Sequence, residues 1–290
     1  MKKGIQIIFL LLLLLLAACG EYGRQEQTAQ EIQEEADPAP EQAQASAAPE
    51  GTGANIFLLT IPEGYTLARI AMTLEEAGIC TVEEFIAAAQ EGDYSGFPLV
   101  AMQEPSETRC FKLEGYLYPD TYEIYTFDTP QAIIGKMLTR MEEKITPAIR
   151  AEIEASGYTT DQMITLASII EKEAFGEEHM PAISSVLHNR LAINMRLQCD
   201  VTIVYVTGAI QPFIDGDKDR YNAHYNTYRC AGIPAGAICN PSVEAILAAL
   251  RPQETDYIFF VTDENKDYFF AATWEEHQAN VAVAMPRTEQ

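Results

Sequence analysis

Two acidic side chains, Glu171 and Glu173, lie in a segment whose composition is typical of a catalytic site. Residues 166–174 read Leu-Ala-Ser-Ile-Ile-Glu-Lys-Glu-Ala, and amides, a histidine and further charged residues follow between positions 185 and 200. A carboxyl at the edge of an apolar helix face is partly desolvated, which favours the protonated form that a general acid needs. An isolated pair of helical glutamates is more often simply solvated, so the neighbouring motifs must decide.

The segment that carries these glutamates is predicted to be a helix. Thr159 and Gln162 have the spacing of a capping box at its start. Helical periodicity places Glu171 at the edge of an apolar arc beside Ala167, whose small side chain should leave room for a ligand. It places Glu173 at the opposite edge and points Lys172 away. The arc consists of Met163, Leu166, Ala167, Ile170 and Ala174.

Further motifs accompany the glutamates along the chain. They are residues 113–122 (Leu-Glu-Gly-Tyr-Leu-Tyr-Pro-Asp-Thr-Tyr), 186–191 (Val-Leu-His-Asn-Arg-Leu), 195–200 (Met-Arg-Leu-Gln-Cys-Asp), 225–228 (Tyr-Asn-Thr-Tyr) and 232–241 (Gly-Ile-Pro-Ala-Gly-Ala-Ile-Cys-Asn-Pro). Together with the Glu-Lys-Glu segment, they resemble the MltG (YceG-like) endolytic murein transglycosylase family from about Ile56 to Gln278.

The resemblance implies a lyase, a peptidoglycan lytic transglycosylase. Such an enzyme cleaves the bond between N-acetylmuramic acid and N-acetylglucosamine in newly made glycan strands. It leaves 1,6-anhydro-N-acetylmuramic acid ends and terminates strand elongation during cell wall assembly. The family's catalytic acid/base matches Glu171, and no cofactor is implied.

Several polar and aromatic residues of these motifs are candidates for substrate binding. Amides suit acetamido and hydroxyl groups, and tyrosine rings stack on sugars. Arg190 and Asp200 could equally form a structural ion pair, and for Arg190 a structural role is favoured. The candidates are Asn189, Gln198, Asp200, Tyr225, Tyr228 and Asn240.

Other reaction types find less support in the residues. A two-carboxylate hydrolase would need a second acid near Glu171, for which Asp120 and Asp200 are candidates; the residues alone do not choose, and the resemblance favours a single acid. Asp120 follows a proline and is expected to turn the chain rather than react. Neither Ser168 nor Ser184 lies in a nucleophile elbow. No metal site is predicted, because the histidines are scattered: His179, His188, His224 and His277.

The chain departs from the family pattern at several positions. Val201 stands where a proline is usual, as do Ala235 and Ala237. Residues 266–268, Lys-Asp-Tyr, replace a glycine-rich turn that ends in histidine, which puts any role of that histidine in doubt. These departures keep open a second hypothesis, a wall-binding or scaffolding lipoprotein with weak or no catalysis.

The N-terminus, residues 1–19, is predicted to be a lipoprotein signal peptide. Two lysines precede a short apolar run, and Leu16-Ala-Ala-Cys19 resembles a lipobox. Lipidation of Cys19 would hold the protein on the extracytoplasmic face of the cell membrane. The five remaining cysteines are expected to be mostly buried free thiols, although one or two disulfides are possible: Cys80, Cys110, Cys199, Cys230 and Cys239.

Residues 20–54 are predicted to be an acidic, disordered linker, since they hold eight acidic residues against one arginine and almost no large apolar residue. The formal net charge of the chain is −24. This charge argues against nucleic acid as a partner, because binding phosphates needs clustered basic residues. The expected partners are peptidoglycan glycan strands and the membrane, with peptidoglycan synthases as further candidates.

The folded part is predicted to be α+β with helices dominant. Residues 55–105 begin with a strand and turn from Phe57 to Gly64, and helices follow from Thr66 and from near Thr81; this order resembles a LysM-like subdomain. Residues 106–290 would form a mostly helical YceG-like catalytic domain. Helices are predicted from Pro130 to about Lys144 and from Pro181, followed by a C-terminal β-hairpin of residues 257–261 and 268–272 and a last helix capped by Thr273 and Glu276.

Overall fold

The structure, a computed structural model, describes residues 46–47, 56–103 and 105–286. The predicted signal peptide, Cys19 and all of the predicted linker except Ser46 and Ala47 lie outside the described residues. The described residues fall within one compact unit, residues 42–290.

The first sheet joins the predicted LysM-like segment to the rest of the chain. Strand β1 is Ser46–Ala47, β2 is Ile56–Thr60 and β3 is Thr121–Tyr125. They are antiparallel in the order β1-β2-β3, with Leu59 opposite Tyr122. Thus the strand that opens the segment 55–105 pairs with a strand beyond its predicted end.

Two helices follow β2, as predicted. Helix α1 is Leu67–Glu76 and helix α2 is Val82–Glu91, and the capping box of Thr81 and Glu84 is present. Leu67, Ile70 and Leu74 of α1 are buried. A short helix, α3, spans Pro98–Ala101.

Helices dominate the second part of the chain. The predicted helices are confirmed at α4 (Pro130–Lys144) and α7 (Met180–Ala192), and the glutamate-bearing helix is α6 (Thr160–Glu173). The remaining helices are α5 (Pro147–Ser156), α8 (Val201–Val204), α9 (Asn222–Tyr225), α10 (Val243–Leu250) and α11 (Trp274–Ala284). A π-helical segment, Tyr205–Ile210, and two 3-10 turns, Glu177–His179 and Gln211–Phe213, complete the helical structure of the described residues.

The predicted hairpin is confirmed. Strand β4 (Phe259–Thr262) pairs antiparallel with β5 (Tyr268–Ala271), with Phe260 opposite Phe270. Thr273 and Glu276 form the predicted capping box of α11.

Helix α6 lies at the centre of the core and packs against α10, α7 and α5. Among the described residues, none of the helices is both long enough and apolar enough to cross a membrane.

Candidate active site

The glutamate-bearing helix α6 is more deeply buried than its sequence suggests. The predicted capping box is present: the Thr159 N–H donates to Oε1 of Gln162 at 2.9 Å, and the Gln162 N–H donates to Oγ1 of Thr159 at 3.1 Å. Every residue from Met163 to Ile170 is buried, so the burial includes the helical residues of the predicted apolar arc and extends to the other faces of the helix. Ala167 has 0 % exposed surface, and the room expected beside it is filled by the protein core.

Glu171 lies in the last turn of α6, with its side chain partly exposed. Its Oε2 accepts a hydrogen bond from the hydroxyl of Ser242 at 2.6 Å and another from the backbone N–H of Ser242 at 3.0 Å. The Ser242 hydroxyl is itself fixed, because it accepts from the Ala245 N–H at 3.1 Å as the N-cap of α10. One oxygen of Glu171 is therefore held in place by the start of a second helix.

A turn from the N-terminal segment lies close to Glu171. Gly64 has a left-handed backbone, with φ of 74°. A Cβ at this position would lie 3.7 Å from Cγ of Glu171 and 3.7 Å from Cδ of Lys172. Lys172 is half-buried beside this turn.

Asn240 ties this turn to the loop that precedes Ser242. The Gly64 N–H donates to the Asn240 carbonyl at 3.0 Å, and the Asn240 N–H donates to the Tyr65 carbonyl at 2.9 Å. The side chain of Asn240 donates to the Tyr65 carbonyl at 2.9 Å and to Oε1 of Glu114 at 3.2 Å, and it accepts from the Leu117 N–H at 2.8 Å. We call these contacts the Asn240 clasp.

Glu114, a partner in the Asn240 clasp, is a carboxyl within the core. It is 1 % exposed and accepts from the Leu67 N–H at 2.9 Å and from the Tyr205 hydroxyl at 3.1 Å. Burial raises the pKa of Glu114 to about 8, although these hydrogen bonds oppose the effect. Glu114 therefore holds its proton at neutral pH and acts as a connector inside the fold.

The surroundings of Glu171 are rich in negative charge. Burial raises the pKa of Glu63, and the carboxylates of Glu171, Glu244 and Glu177 raise it further, whereas Lys144 lowers it. Negative charges at this density repel an anionic group and tolerate a neutral sugar.

A second group of polar residues surrounds Glu173. Burial and the neighbouring Asp200 raise the pKa of Glu173 to about 7, against a hydrogen bond from Cys199 and the charge of Arg190. Asp200 accepts a hydrogen bond from the Tyr228 hydroxyl at 2.7 Å. The structure therefore brings together two of the predicted substrate-binding residues, Asp200 and half-buried Tyr228, beside the second glutamate.

Asn189 and Gln198 hold backbone segments in place. The Asn189 amide donates to the carbonyls of Thr255 and Tyr257, both at 2.9 Å. Gln198, which has a left-handed φ of 53°, accepts from Nη1 of Arg190 at 3.3 Å. Their binding of substrate stays a prediction, and in this structure these polar atoms serve the fold.

Arg190 has the favoured structural role, but not through an ion pair with Asp200. Its guanidinium donates to the carbonyls of Ile258 at 2.6 Å and Leu197 at 2.7 Å, and it lies over the Phe259 ring at 5.3 Å. Burial lowers the pKa of Arg190. This side chain links the hairpin to the loop before α8.

Two other predicted site residues lie in the core. Tyr225 has 0 % exposed surface, and its hydroxyl accepts from the Cys110 N–H at 3.2 Å. Its ring presents no free face, so the expectation that Tyr225 stacks on a glycan is wrong for this conformation. Asn240 is also 0 % exposed, and its amide is used by the clasp.

Asp120 lies at a turn of the chain and forms an ion pair with Arg140, in line with the expectation of a structural role. Its carboxylate accepts from Nε of Arg140 at 2.6 Å and from the Thr121 N–H at 2.8 Å. Burial raises the pKa of Asp120, but the bonds from Arg140 and Thr121 outweigh it and leave the pKa below its ordinary value. The five described cysteines are all free thiols.

Comparison with known proteins identifies the family. A model of the YceG-like family matches residues 21–283. The chain belongs to this family. It is 33 % identical over 243 residues to the endolytic murein transglycosylase of Streptococcus pneumoniae serotype 2, which covers 77 % of this chain and 44 % of that protein. It is 29 % identical over 227 residues to the protein of the same name from Bacillus subtilis, covering 76 % of this chain and 63 % of that protein.

The chain thus spans about half of the length of these relatives. A crystal structure of a YceG-like protein from Listeria monocytogenes has a TM-score of 0.68 to this chain at 31 % identity, covering 77 % of this chain and 75 % of that one. The YceG-like fold, helix-rich with small sheets, is therefore shared with a solved structure.

Sequence reasoning missed three parts of this YceG-like site: Ser242, the turn at Glu63 and Gly64, and buried Glu114. Ser242 had a detectable signal, because a serine directly before the apolar helical run of residues 243–250 is a typical N-cap. Glu114 lies inside the motif of residues 113–122. Its place beside Asn240, like that of the Gly64 turn beside Glu171, depends on contacts between distant segments and had no signal of its own.

Proposed function

We propose that this YceG-like protein is an endolytic peptidoglycan lytic transglycosylase in which Glu171 is the single catalytic acid/base. The observation that carries the proposal is the carboxyl of Glu171, partly exposed and held through one oxygen by Ser242. The name of the Streptococcus and Bacillus relatives, endolytic murein transglycosylase, supports the same reaction class.

The hydrogen bonds of Glu171 suit a carboxyl that donates a proton and later takes one back. Two donors occupy Oε2 of Glu171, so the proton of the neutral acid belongs on Oε1. Glu171 passes this proton to the oxygen of the bond between N-acetylmuramic acid and N-acetylglucosamine, and that bond breaks. The substrate's acetamido group stabilises the cationic carbon. The Glu171 carboxylate then takes the proton of the C6 hydroxyl, whose oxygen closes the 1,6-anhydro ring without consuming water.

The other carboxyls near the site support a mechanism with one acid. Asp120 is paired with Arg140, and Asp200 accepts from Tyr228. Glu173, with a pKa of about 7, is largely neutral below that pH and is then a poor base for activating water. A hydrolase would need one of these groups to be an ionised base beside the sugar.

The product distinguishes the two reactions. Purified protein incubated with isolated glycan strands in water enriched in oxygen-18 should release fragments that end in 1,6-anhydro-N-acetylmuramic acid and carry no label. Reducing ends with one oxygen-18 would show hydrolysis and sink the proposed reaction. A protein that binds strands without releasing fragments would be the wall-binding lipoprotein of the second hypothesis.

We also propose that residues 55–105 are a LysM-like subdomain that serves this active site directly. The support is the closeness of the Gly64 turn to Glu171, together with the Asn240 clasp. In this proposal the subdomain is a wall of the catalytic cleft, in addition to any binding of glycan.

We further propose that Cys19 carries a lipid. This anchor would keep the catalytic cleft near glycan strands that emerge at the membrane, with peptidoglycan synthases as neighbours. The full chain expressed in a bacterial host should carry a diacylglyceryl group on Cys19, and Cys19→Ala should lack it while the purified protein keeps its activity. Mass spectrometry of the mature N-terminus tests this, and an unlipidated wild-type N-terminus would overturn it.

A further inference from the structure

The first residue of strand β5, Tyr268, reaches the end of the helix that carries Glu171. Its hydroxyl donates to the Glu173 carbonyl at 2.5 Å and accepts from the Phe175 N–H at 2.9 Å. A phenol hydroxyl can do both at once, because it has one proton to donate and lone pairs to accept. Burial raises the pKa of Tyr268 to about 12, so the donor stays protonated under physiological conditions.

These two hydrogen bonds close the C-terminal end of α6. The last carbonyls of a helix have no partner within the helix and need one from outside. Helix α6 ends at Glu173, and the next residue, Ala174, is already extended, so the chain has no left-handed glycine cap there. Tyr268 supplies the missing partner to the final residue of the helix and to the chain just beyond it.

The Tyr268 ring is held in place by two neighbouring rings. It packs against His179 with ring centroids 4.5 Å apart and lies 5.9 Å from the stacked ring of Phe270. His179 belongs to the 3-10 turn that follows α6, and Phe270 belongs to β5. The packed ring of Tyr268 thus links the hairpin to the segment after helix α6.

We propose that Tyr268 is a positioning residue for Glu171, through its hold on the last turn of α6. The proposal rests on the proposed function. Glu171 lies two residues before the end of the helix, in the turn that unravels first when a cap is lost. Displacement of a catalytic group by about 1 Å costs on the order of 100-fold in rate.

The test compares Tyr268→Phe with Tyr257→Phe. Both remove one hydroxyl from the same hairpin region and keep the ring, and Tyr257 stacks on Phe270 at 5.5 Å. In Tyr268→Phe we expect kcat for release of anhydro ends to fall about 10- to 100-fold with KM nearly unchanged. Hydrogen exchange at the amides of residues 174 and 175 should also speed up. Tyr257→Phe should keep kcat within about twofold.

A third variant, Tyr268→His, separates positioning from general damage. An imidazole offers one donor and one acceptor, so it should recover part of the lost kcat. If wild type releases anhydro ends and Tyr268→Phe matches Tyr257→Phe in both kcat and exchange, the positioning role is wrong while the proposed function stands. If wild type itself releases none, the proposed function fails and the positioning role fails with it.

Discussion

At the scale of single residues, the site depends on how one carboxyl is held. Oε2 of Glu171 accepts hydrogen bonds from both the hydroxyl and the backbone N–H of Ser242. The Ser242 hydroxyl is at the same time the N-cap of α10. Ser242 therefore couples the orientation of the Glu171 carboxyl to the start of a helix. The orientation of Glu171 should be more sensitive to this serine than the stability of the protein is.

Replacing Ser242 by alanine tests that coupling. We expect Ser242→Ala to lower kcat about 10- to 100-fold, because the carboxyl loses its hydroxyl donor and can rotate. Loss of the N-cap should cost about 1 kcal/mol of unfolding free energy. Ser242→Thr keeps the hydroxyl and should recover most of the rate. The measurements are steady-state turnover of glycan strands and thermal unfolding.

The matched control is Thr146→Ala, which removes the N-cap hydroxyl of α5. It should lower stability by a similar amount and leave kcat within about twofold. Equal losses of kcat in Ser242→Ala and Thr146→Ala would mean that the serine acts on the fold alone.

At the scale of secondary structure elements, the clasp around Asn240 joins three distant segments. It connects the turn after β2, the motif at residues 113–117 and the loop before α10. Since Asn240 is fully buried, each of its polar contacts lacks a competing water. The loop that presents Ser242 is fixed through these contacts.

Truncating Asn240 should therefore weaken both stability and turnover. In Asn240→Ala the buried Leu117 N–H loses its acceptor, and the side-chain donors to Tyr65 and Glu114 are lost. We expect the free energy of unfolding to fall on the order of 3 kcal/mol, with a lower kcat. Urea titration measures the first, and Asn265→Ala in the exposed hairpin turn is the control. A loss under about 1 kcal/mol would contradict a structural role for the clasp.

Helices with local signals could be predicted from the sequence, whereas contacts between distant segments could not. Capping boxes and apolar periodicity predicted α2, α6 and α11, and two aromatic runs around a polar turn predicted the hairpin. Strand β3 was missed because its partner β2 lies far away in the chain. For the same reason Glu171 could be chosen from its motif, while the Gly64 turn beside it could not.

At the scale of the whole molecule, a very acidic chain raises the pKa of two of its own carboxyls. The net charge is −24, yet burial raises the pKa of Glu114 to about 8 and that of Glu173 to about 7. In the unfolded chain both groups ionise near pH 4.5. Between about pH 4.5 and pH 8 the native state therefore binds more protons than the unfolded state, and stability must fall as pH rises through that window.

The thermal stability of the protein should therefore depend on pH. We expect the melting temperature to fall steadily from about pH 6 to pH 8, where ordinary surface carboxylates are already ionised. Glu114→Gln, which mimics the neutral acid, should flatten that slope, whereas Glu152→Gln at the exposed ion pair with Arg251 should leave it unchanged. A melting temperature that is constant or rises between pH 6 and pH 8 would contradict the buried neutral state of Glu114.

The most direct measurement of the central claim is product formation by Glu171→Gln beside Glu173→Gln, with glycan strands as substrate and mass spectrometry of the ends. Glutamine keeps the shape of Glu171 but cannot donate and recover a proton, so this variant should fold normally and release anhydro ends at least about 100-fold more slowly than wild type. Glu173, with a pKa of about 7, already spends about half of its time in the neutral form at pH 7. Glutamine resembles that form, so Glu173→Gln should keep at least a few per cent of wild-type activity. Equal inactivation of both variants, or release of anhydro ends by Glu171→Gln at the wild-type rate, would contradict the assignment of Glu171 as the single acid.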